Sequence, residues 1–394
     1  MDMKRKKICR IMLCALLIFS MLVVPMTVNA TEGDIVPIST ETALSFPCKS
    51  AILMEAGTGK ILFEQNADEA LPPASVTKIM TLLLVMEAIA DGRLGYEDMV
   101  TASAHACSMG GSQIYLKEGE QMTVEDMLKS VVIASANDAA VALAEHIAGT
   151  EEAFVEQMNR RAAELGMHNT HFENTNGLDD TTTAHLTSAR DIALMSRALI
   201  AHAKITEYSS IWMDTIRDGA FGLTNTNRLV RFYRGATGLK TGSTAKAGFC
   251  VSATATRNDM SLICVIMGAE SRDIRNAAAT SLLDWGFSNY EVYHSPTLSL
   301  SPVRVLGGVS RECTVKAEDF SDVIAKNSGK RVECQTELPE TLSAPIEKGD
   351  VVGKITYSLD GKTIGECKIV AEESVGKINF WNFLCRMLAA MSLC

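Results

Sequence analysis

The most constraining feature of the sequence is the stretch 71–90, LPPASVTKIMTLLLVMEAIA. After its first turn the residues are apolar on nearly every side, which is typical of a helix buried in a core. Pro72 and Pro73 are tolerated at the start of such a helix, because the N–H that proline lacks has no partner there. The stretch therefore predicts a domain that is built around one buried helix.

The first turn of this predicted helix carries two polar residues, Ser75 and Lys78. Their spacing of three places both side chains on one face, where an amine can take a proton from a hydroxyl. The free N–H groups at the helix start favour an oxyanion beside Ser75, and partial burial would lower the pKa of Lys78. The S-x-x-K spacing occurs twice more in the chain. A helix cap and a lysine that extends to solvent also fit it, so other residues must decide.

The N-terminus has the pattern of a secretory signal peptide. Five basic residues precede an apolar run over 11–24, and the small-residue sequence that ends at Ala30 suits cleavage. We therefore predict that residues 1–30 are removed and that the protein is exported. An uncleaved membrane anchor is the alternative, although the run is short for a bilayer span.

Removal of that segment would leave an acidic chain. It would hold 32 Lys and Arg against 46 Asp and Glu, a net charge of −14, which argues against nucleic acid as a partner. Nine cysteines would remain, an odd number without C-x-x-C spacing or a histidine cluster. This pattern predicts neither a disulfide framework nor a zinc site, and we expect no metal and no cofactor.

A second polar pair lies between two predicted helices. Ser135 and Asn137 occupy a turn just before the helical run 138–148, and they form the only S-x-N sequence in the chain. Such residues are also ordinary caps and turn formers. The functional interpretation is that the turn projects a hydroxyl and an amide into a cleft beside Ser75.

Two apolar segments, 248–256 and 260–267, predict adjacent strands joined by a turn, and a helix is predicted over 271–285. Together with the buried helix they predict an α+β fold, an α/β sandwich with an antiparallel sheet.

Three short polar motifs fall in order along this part of the chain. Their predicted contexts are a helix start, a turn between helices and the start of a strand. β-Lactamases and penicillin-binding proteins share this trio of motifs, which predicts side chains that converge on one nucleophilic serine. The motifs S-x-x-K, S-x-N and K-T-G are formed by Ser75, Lys78, Ser135, Asn137, Lys240, Thr241 and Gly242.

The chain resembles the low-molecular-mass penicillin-binding proteins, specifically the serine-type D-Ala-D-Ala carboxypeptidases. The resemblance covers about residues 45–394 and includes the segments PASVTK, SANDAAVALA, FENTNGL and GLKTG. It implies a penicillin-recognising transpeptidase/β-lactamase-like fold and removal of the terminal D-alanine from peptidoglycan pentapeptide stems. It also implies that β-lactams are covalent inhibitors. Ser243 is a departure, because some relatives carry histidine after the glycine.

The resemblance also implies a role for each motif residue. Ser75 would attack the carbonyl between the two D-alanines with Lys78 as general base, and Ser135 would relay a proton to the leaving D-alanine. The N–H groups of Ser75 and Ser243 would form the oxyanion hole, and the charge of Lys240 would favour neutral Lys78. The residues expected to bind the substrate amide and carboxylate are Asn137, Lys240, Thr241, Gly242 and Ser243.

Three alternatives stay open. A class A β-lactamase shares the trio but needs a carboxylate to activate the deacylating water; Glu173 is available, although its loop resembles that of the carboxypeptidases. D,D-Endopeptidase action on cross-links is a close alternative, and a non-catalytic wall-binding protein is the third. His185 is not included among the catalytic candidates, because a lone histidine is more often a structural hydrogen-bonding residue.

After residue 293 the helical periodicity ends. Short β-like segments and an Asp-Gly turn predict a small all-β domain over 294–372. Residues 373–394 predict an amphipathic helix in the membrane surface, with packing on the protein or on a second copy as the alternative. The catalytic domain would then span 31–293, and the protein would work on the outer face of the cytoplasmic membrane.

Overall fold

The computed structural model describes residues 44–180 and 182–391 of the 394-residue chain. The chain divides into two units, Met1–Ser45 and Phe46–Cys394. The predicted signal peptide lies outside the described residues. The elements below belong to the second unit.

The first part of this unit, the sandwich domain, holds strands β1 to β9 and helices α1 to α9. The strands are β1 (Ser50–Glu55), β2 (Ile61–Gln65), β3 (Met99–Thr101), β4 (Gln121–Thr123), β5 (Met213–Ile216), β6 (Phe221–Thr224), β7 (Ala236–Thr244), β8 (Gly248–Arg257) and β9 (Met260–Ala269). The helices are α1 (Lys78–Ala90), α2 (Ala104–Cys107), α3 (Val124–Lys129), α4 (Asn137–Ala148), α5 (Glu151–Glu164), α6 (Ala189–Ile200), α7 (Ala203–Ser209), α8 (Leu229–Phe232) and α9 (Arg272–Asn289).

A five-stranded sheet in the order β2-β1-β9-β8-β7 forms the centre of the sandwich domain, and every neighbouring pair is antiparallel. Successive residues of β1 enter two different cores: Ile52 packs on the side of α1 and α6, and Leu53 on the side of α9. Because helices cover both faces, β9 is apolar along most of its length instead of alternating. The predicted antiparallel α/β sandwich is confirmed.

The strands predicted at 248–256 and 260–267 are confirmed as β8 and β9. The predicted position of K-T-G at the start of a strand is wrong, because Lys240, Thr241 and Gly242 lie within β7, at the edge of the sheet. Polar residues and glycines make up much of β7, so its own sequence has little strand propensity. Its pairing with β8 makes it a strand.

The buried helix begins later than predicted. Ala74–Thr77 forms a 3-10 turn, α1 starts at Lys78, and Leu71 lies in an isolated β-bridge. Pro73 has no N–H to donate, and Ala74 has a φ of +49°, so the chain enters the helix through a tight turn. This turn places Ser75 just before the N-terminal end of α1.

Helix α1 is buried on nearly every side, as predicted. Leu82, Leu83 and Val85 are at most 1% exposed, and burial of each such side chain contributes about 2 kcal/mol to folding. The same helix carries Lys78 into the interior, where its side chain is fully buried. The sequence predicted only partial burial of this lysine.

The second part, the β domain, confirms the small all-β domain predicted after residue 293. Its strands are β10 (Tyr290–His294), β11 (Val303–Leu306), β12 (Glu312–Cys313), β13 (Val315–Ala317), β14 (Ser321–Ala325), β15 (Val332–Glu337), β16 (Thr341–Ser343), β17 (Val351–Leu359) and β18 (Lys362–Ala371).

The predicted Asp-Gly hairpin joins β17 to β18. Asp360 and Gly361 have φ values of +51° and +77°, which is the geometry of a two-residue turn that matches the twist of its strands. Lys60 of the sandwich domain donates to Asp322 Oδ2 at 2.8 Å and to the carbonyl of Val323 at 2.7 Å. This contact ties the β domain to the sheet of the sandwich domain.

A last helix, α10 (Phe380–Met391), follows the β domain. Phe380, Trp381 and Leu388 are at least 58% exposed. Among the described residues, no helix is long and apolar enough to cross a membrane. The membrane-surface role of this helix stays a prediction.

Substitution of Gly177 tests the close packing around the 3-10 turn. Gly177 has a φ of +83°, and a Cβ on it would overlap the carbonyl group of Ala74. We expect Gly177→Ala to lower the free energy of unfolding by about 3 kcal/mol, as measured by urea denaturation. Gly166 is the matched control, because its φ is +72° but its Cβ would meet open space. Gly166→Ala should cost only about 1 kcal/mol, and equal losses would contradict the account.

Candidate active site

The three motifs meet at one open cleft with a volume of about 460 Å³. Five of the eight predicted site residues line this cleft. They come from the 3-10 turn, the turn before α4 and strand β7. The other three, Lys78, Asn137 and Lys240, lie behind the cleft wall and are at most 2% exposed. The lining residues are Ser75, Ser135, Thr241, Gly242 and Ser243.

The Lys78 amine is held between three oxygen atoms. Its Nζ lies 2.9 Å from Ser75 Oγ, 2.6 Å from Asn137 Oδ1 and 2.8 Å from the carbonyl oxygen of Asn176. The amide and carbonyl oxygens can only accept hydrogen bonds. A neutral amine has two hydrogens for them, and its lone pair is then left for the Ser75 hydroxyl. In this geometry the amine can accept the serine proton.

Burial favours the neutral form of this amine. Desolvation lowers the pKa of Lys78 well below its ordinary value, and the nearby positive charge of Lys240 lowers it further. The carboxylate of Asp138 acts in the opposite direction but does not outweigh them. The predicted influence of Lys240 on Lys78 is therefore present, although burial is the larger cause.

Lys240 joins the S-x-N turn to β7. Its Nζ donates to Ser135 Oγ at 2.8 Å and to the carbonyl of Thr241 at 3.0 Å. Burial, followed by the charge of Arg275, lowers the pKa of Lys240 to about 7. An amine in this state can exchange a proton with the Ser135 hydroxyl near neutral pH.

A local distortion of the chain presents Ser135. The helix predicted before the turn splits into α3 and a π-helical segment, Ser130–Ala134. Ser135 then adopts the left-handed conformation, with φ +64° and ψ +31°, which is rare for serine and common at functional sites. Asn137 follows at the start of α4, and its Nδ2 donates to the carbonyl of Gly110 at 2.6 Å.

Strand β7 passes very close to the 3-10 turn. A Cβ on Gly242 would lie 2.8 Å from the backbone nitrogen of Ser75 and 2.9 Å from that of Val76, so only glycine fits. The next residue, Ser243, continues the strand. β7 and β2 are the two edge strands of this sheet, and β7 is the one that borders the cleft, so its outer edge is open to an extended peptide.

Two contacts of the site are not predicted by the sequence, in which the segment 172–178 enters only as part of the resemblance. One is the Asn176 carbonyl that holds Lys78. The other is Glu151, whose Oε1 accepts from the N and Oγ1 of Thr175 at 3.0 and 2.7 Å, and whose Oε2 lies 2.8 Å from His105 Nε2. Glu151 therefore fixes the loop that carries Asn176.

Arg275 was also missed. It lines the cleft from α9 and is 2% exposed. Its guanidinium donates to the carbonyl of Cys250 at 3.3 Å and to the side chain of Asn276, and burial lowers its pKa to about 10. A signal was available: Arg275 falls on the helix face that otherwise buries Ala278 and Ala279.

His185 and Glu173 have structural contacts. Burial lowers the pKa of His185 to about 4, so the ring is neutral. Its Nδ1 accepts from the N–H of Glu173 at 2.9 Å, and its Nε2 donates to Thr77 Oγ1 at 2.8 Å. The Glu173 carboxylate accepts from the N–H groups of Thr183 and Ala184. Neither residue is among those that line the cleft.

Comparison with known proteins gives consistent matches over most of the chain. Residues 38–271 match the peptidase S11 family, described as D-alanyl-D-alanine carboxypeptidase, and residues 296–377 match the C-terminal domain of penicillin-binding protein 5. The D-alanyl-D-alanine carboxypeptidase DacF of Bacillus subtilis is 41% identical over 352 residues, which is 88% of this chain and 90% of that protein.

Two further relatives agree with this result. The D-alanyl-D-alanine carboxypeptidase DacC of Escherichia coli is 37% identical over 88% of this chain and 89% of its own length. The crystal structure of penicillin binding protein 5 from Haemophilus influenzae superposes with a TM-score of 0.75 at 34% identity, over 85% of this chain and 99% of that one.

The fold and the cleft, with its serine beside a buried lysine, define a serine enzyme of the penicillin-recognising class. Within that class, the chain belongs to the D-alanyl-D-alanine carboxypeptidase family, peptidase S11.

Proposed function

We propose that the protein is an exported serine D-Ala-D-Ala carboxypeptidase that removes the terminal D-alanine from peptidoglycan pentapeptide stems. The observation that carries this proposal is the buried Lys78 amine, 2.9 Å from Ser75 Oγ and held by two acceptors that leave its lone pair free for that hydroxyl. The names of its relatives support the choice of substrate.

Acylation begins when Ser75 Oγ attacks the carbonyl carbon between the two D-alanines and its proton moves to Lys78 Nζ. The N–H groups of Ser75 and Ser243 stabilise the oxyanion, which the close approach of β7 at Gly242 supports. The C–N bond then breaks, and Ser135, whose Oγ accepts from Lys240 Nζ at 2.8 Å, relays the proton that Lys78 took from Ser75 to the nitrogen of the leaving D-alanine. Lys78 is then neutral again.

The stem lies along the edge of β7 and its terminal carboxylate binds at Thr241. The Thr241 hydroxyl donates to Thr226 Oγ1 at 2.9 Å and turns to the carboxylate when the stem binds, and Arg275 supplies positive charge in the same cleft. Lys240 acts through its field and through Ser135, because it does not itself line the cleft and its amine donates to Ser135 Oγ and to the carbonyl of Thr241. The resemblance implied that Lys240 contacts the carboxylate directly. We assign that direct contact to Arg275 instead.

Water then hydrolyses the acyl-enzyme, with Lys78 again as the base. A class A β-lactamase uses a carboxylate for this step, but the described residues that line the cleft include no Asp or Glu. Glu173 instead binds backbone N–H groups of its own loop. A β-lactam therefore forms a long-lived adduct with Ser75.

The Ser75→Ala variant tests the nucleophile. We expect D-alanine release from a pentapeptide stem to fall by about 10⁴-fold or more, and benzylpenicillin to add no covalent mass to the variant. The matched control is Ser374→Ala, which alters an exposed serine in another S-x-x-K sequence of the chain. That control should keep both properties. Undiminished D-alanine release by Ser75→Ala would refute the mechanism.

We also propose that α10 holds the protein on the membrane surface. Its exposed Phe380, Trp381 and Phe383 have the amphipathic character of a helix that lies in an interface. Removal of residues 380–394 spares Val375, which pairs with Ile346 in the β domain. The truncated protein should stay in the supernatant when sedimented with vesicles of phosphatidylglycerol and phosphatidylethanolamine, while the full-length protein pellets. Equal partitioning of the two would remove this proposal.

A further inference from the structure

Two exposed arginines stand at the cleft that contains Ser75. Arg228 lies just before α8, and Arg272 is the first residue of α9. Both line the same cleft as Ser75 and Arg275. Because the described residues that line this cleft include no carboxylate, its charged lining residues are all cationic.

The side chains of these two arginines have no partner within the described parts of the chain. Neither Arg228 nor Arg272 makes a side-chain hydrogen bond or ion pair with another described residue. Other exposed arginines, such as Arg160 on α5, also lack such a partner among the described residues, so the feature that distinguishes Arg228 and Arg272 is their position at the cleft. Two unpaired guanidinium groups at the mouth of an active site are therefore available to a ligand.

The terminal carboxylate of the substrate already has a proposed position elsewhere in the cleft. The proposed site for the terminal carboxylate is Thr241 with the buried Arg275. Arg272 lies one helical turn before Arg275 on α9, close enough for its charge to lower the pKa of Arg275. Arg228 stands on a different element of the wall. One carboxylate at Thr241 leaves both exposed guanidinium groups without an anion.

We propose that Arg228 and Arg272 bind a second carboxylate of the substrate. The enzyme then selects peptidoglycan stems that carry a free carboxylate besides the terminal one, and disfavours stems in which that carboxylate is a carboxamide. Guanidinium groups suit this role, because their fork of N–H donors matches a carboxylate and they are always charged. This inference rests on the proposed carboxypeptidase function.

The charge of the whole chain works against an anionic peptide, so the preference for the acid must come from the cleft. The formal net charge is −10, so the surface as a whole repels an anionic peptide and a cationic cleft attracts it locally. An exposed ion pair alters affinity only a few-fold, and two pairs give a preference of about five- to tenfold. Salt screens such pairs, so the preference should shrink as ionic strength rises.

The test uses two pentapeptide stems of equal length that both end in D-Ala-D-Ala. One carries a free carboxylate on its second residue, and the other carries a carboxamide at that position. The measured quantity is the ratio of kcat/KM for D-alanine release from the acid and from the amide. The proteins are the wild type, Arg228→Gln, Arg272→Gln and the double variant. Arg160→Gln is the matched control, since Arg160 is exposed on α5 and does not line the cleft.

We expect the wild type and Arg160→Gln to prefer the acid by about five- to tenfold, and the double variant to have a ratio near one. Each single variant should give an intermediate ratio. The kcat/KM for the carboxamide peptide reports whether a variant is folded and able to catalyse the reaction. Only the ratio of kcat/KM for the acid and the amide tests binding of the second carboxylate.

A wild-type ratio of one, or a ratio that the double variant leaves unchanged, would overturn the inference and leave the carboxypeptidase function intact. An equal loss on both peptides in the double variant would also overturn it, because the arginines would then serve a step that both peptides share. No release from either peptide by the wild type would instead refute the proposed function.

Discussion

The structure of this site depends on one buried amine. Charge in an apolar interior is costly, so the placement of Lys78 among the apolar side chains of α1 favours its neutral form. The acceptors Asn137 and Asn176 then use the two hydrogens of that amine. The remaining lone pair lies beside Ser75 Oγ, so the Lys78 amine can act as the base that activates this weakly nucleophilic hydroxyl. The proposed acyl transfer follows from this geometry.

The parts of the fold that hold this amine depart from regular structure. Ser75 lies in a 3-10 turn, and Ser135 follows a π-helical segment in a left-handed conformation. Gly242 brings the backbone of β7 against the serine turn. Such departures cluster at functional sites, where packing elsewhere sustains the strained segments. Here the two cores on either side of the sheet provide that packing.

Much of this arrangement could be predicted from the sequence, because its signals are local. Apolar periodicity predicted α1 and the strands β8 and β9, and the three motifs indicated the residues around the cleft. Most of the failures have a common cause. Strand β7 and the Asn176 carbonyl depend on contacts between distant segments, which local propensity does not describe; Arg275 differs, because its place on the buried face of α9 could be read from the sequence. Every residue type has a backbone carbonyl, so the role of the Asn176 carbonyl cannot be read from the identity of that residue.

The most direct test of the account is the protonation state of Lys78, followed by NMR of ¹³Cε-labelled lysine over a pH series and assigned by comparison with Lys78→Arg. We expect a pKa of Lys78 well below the ordinary lysine value, with the amine neutral when the enzyme is active. We also expect that Lys240→Gln raises this pKa, because a neighbouring positive charge is removed, whereas Lys204→Gln on α7 leaves it unchanged. An ordinary lysine pKa for Lys78, with a charged amine beside Ser75 at neutral pH, would contradict the account.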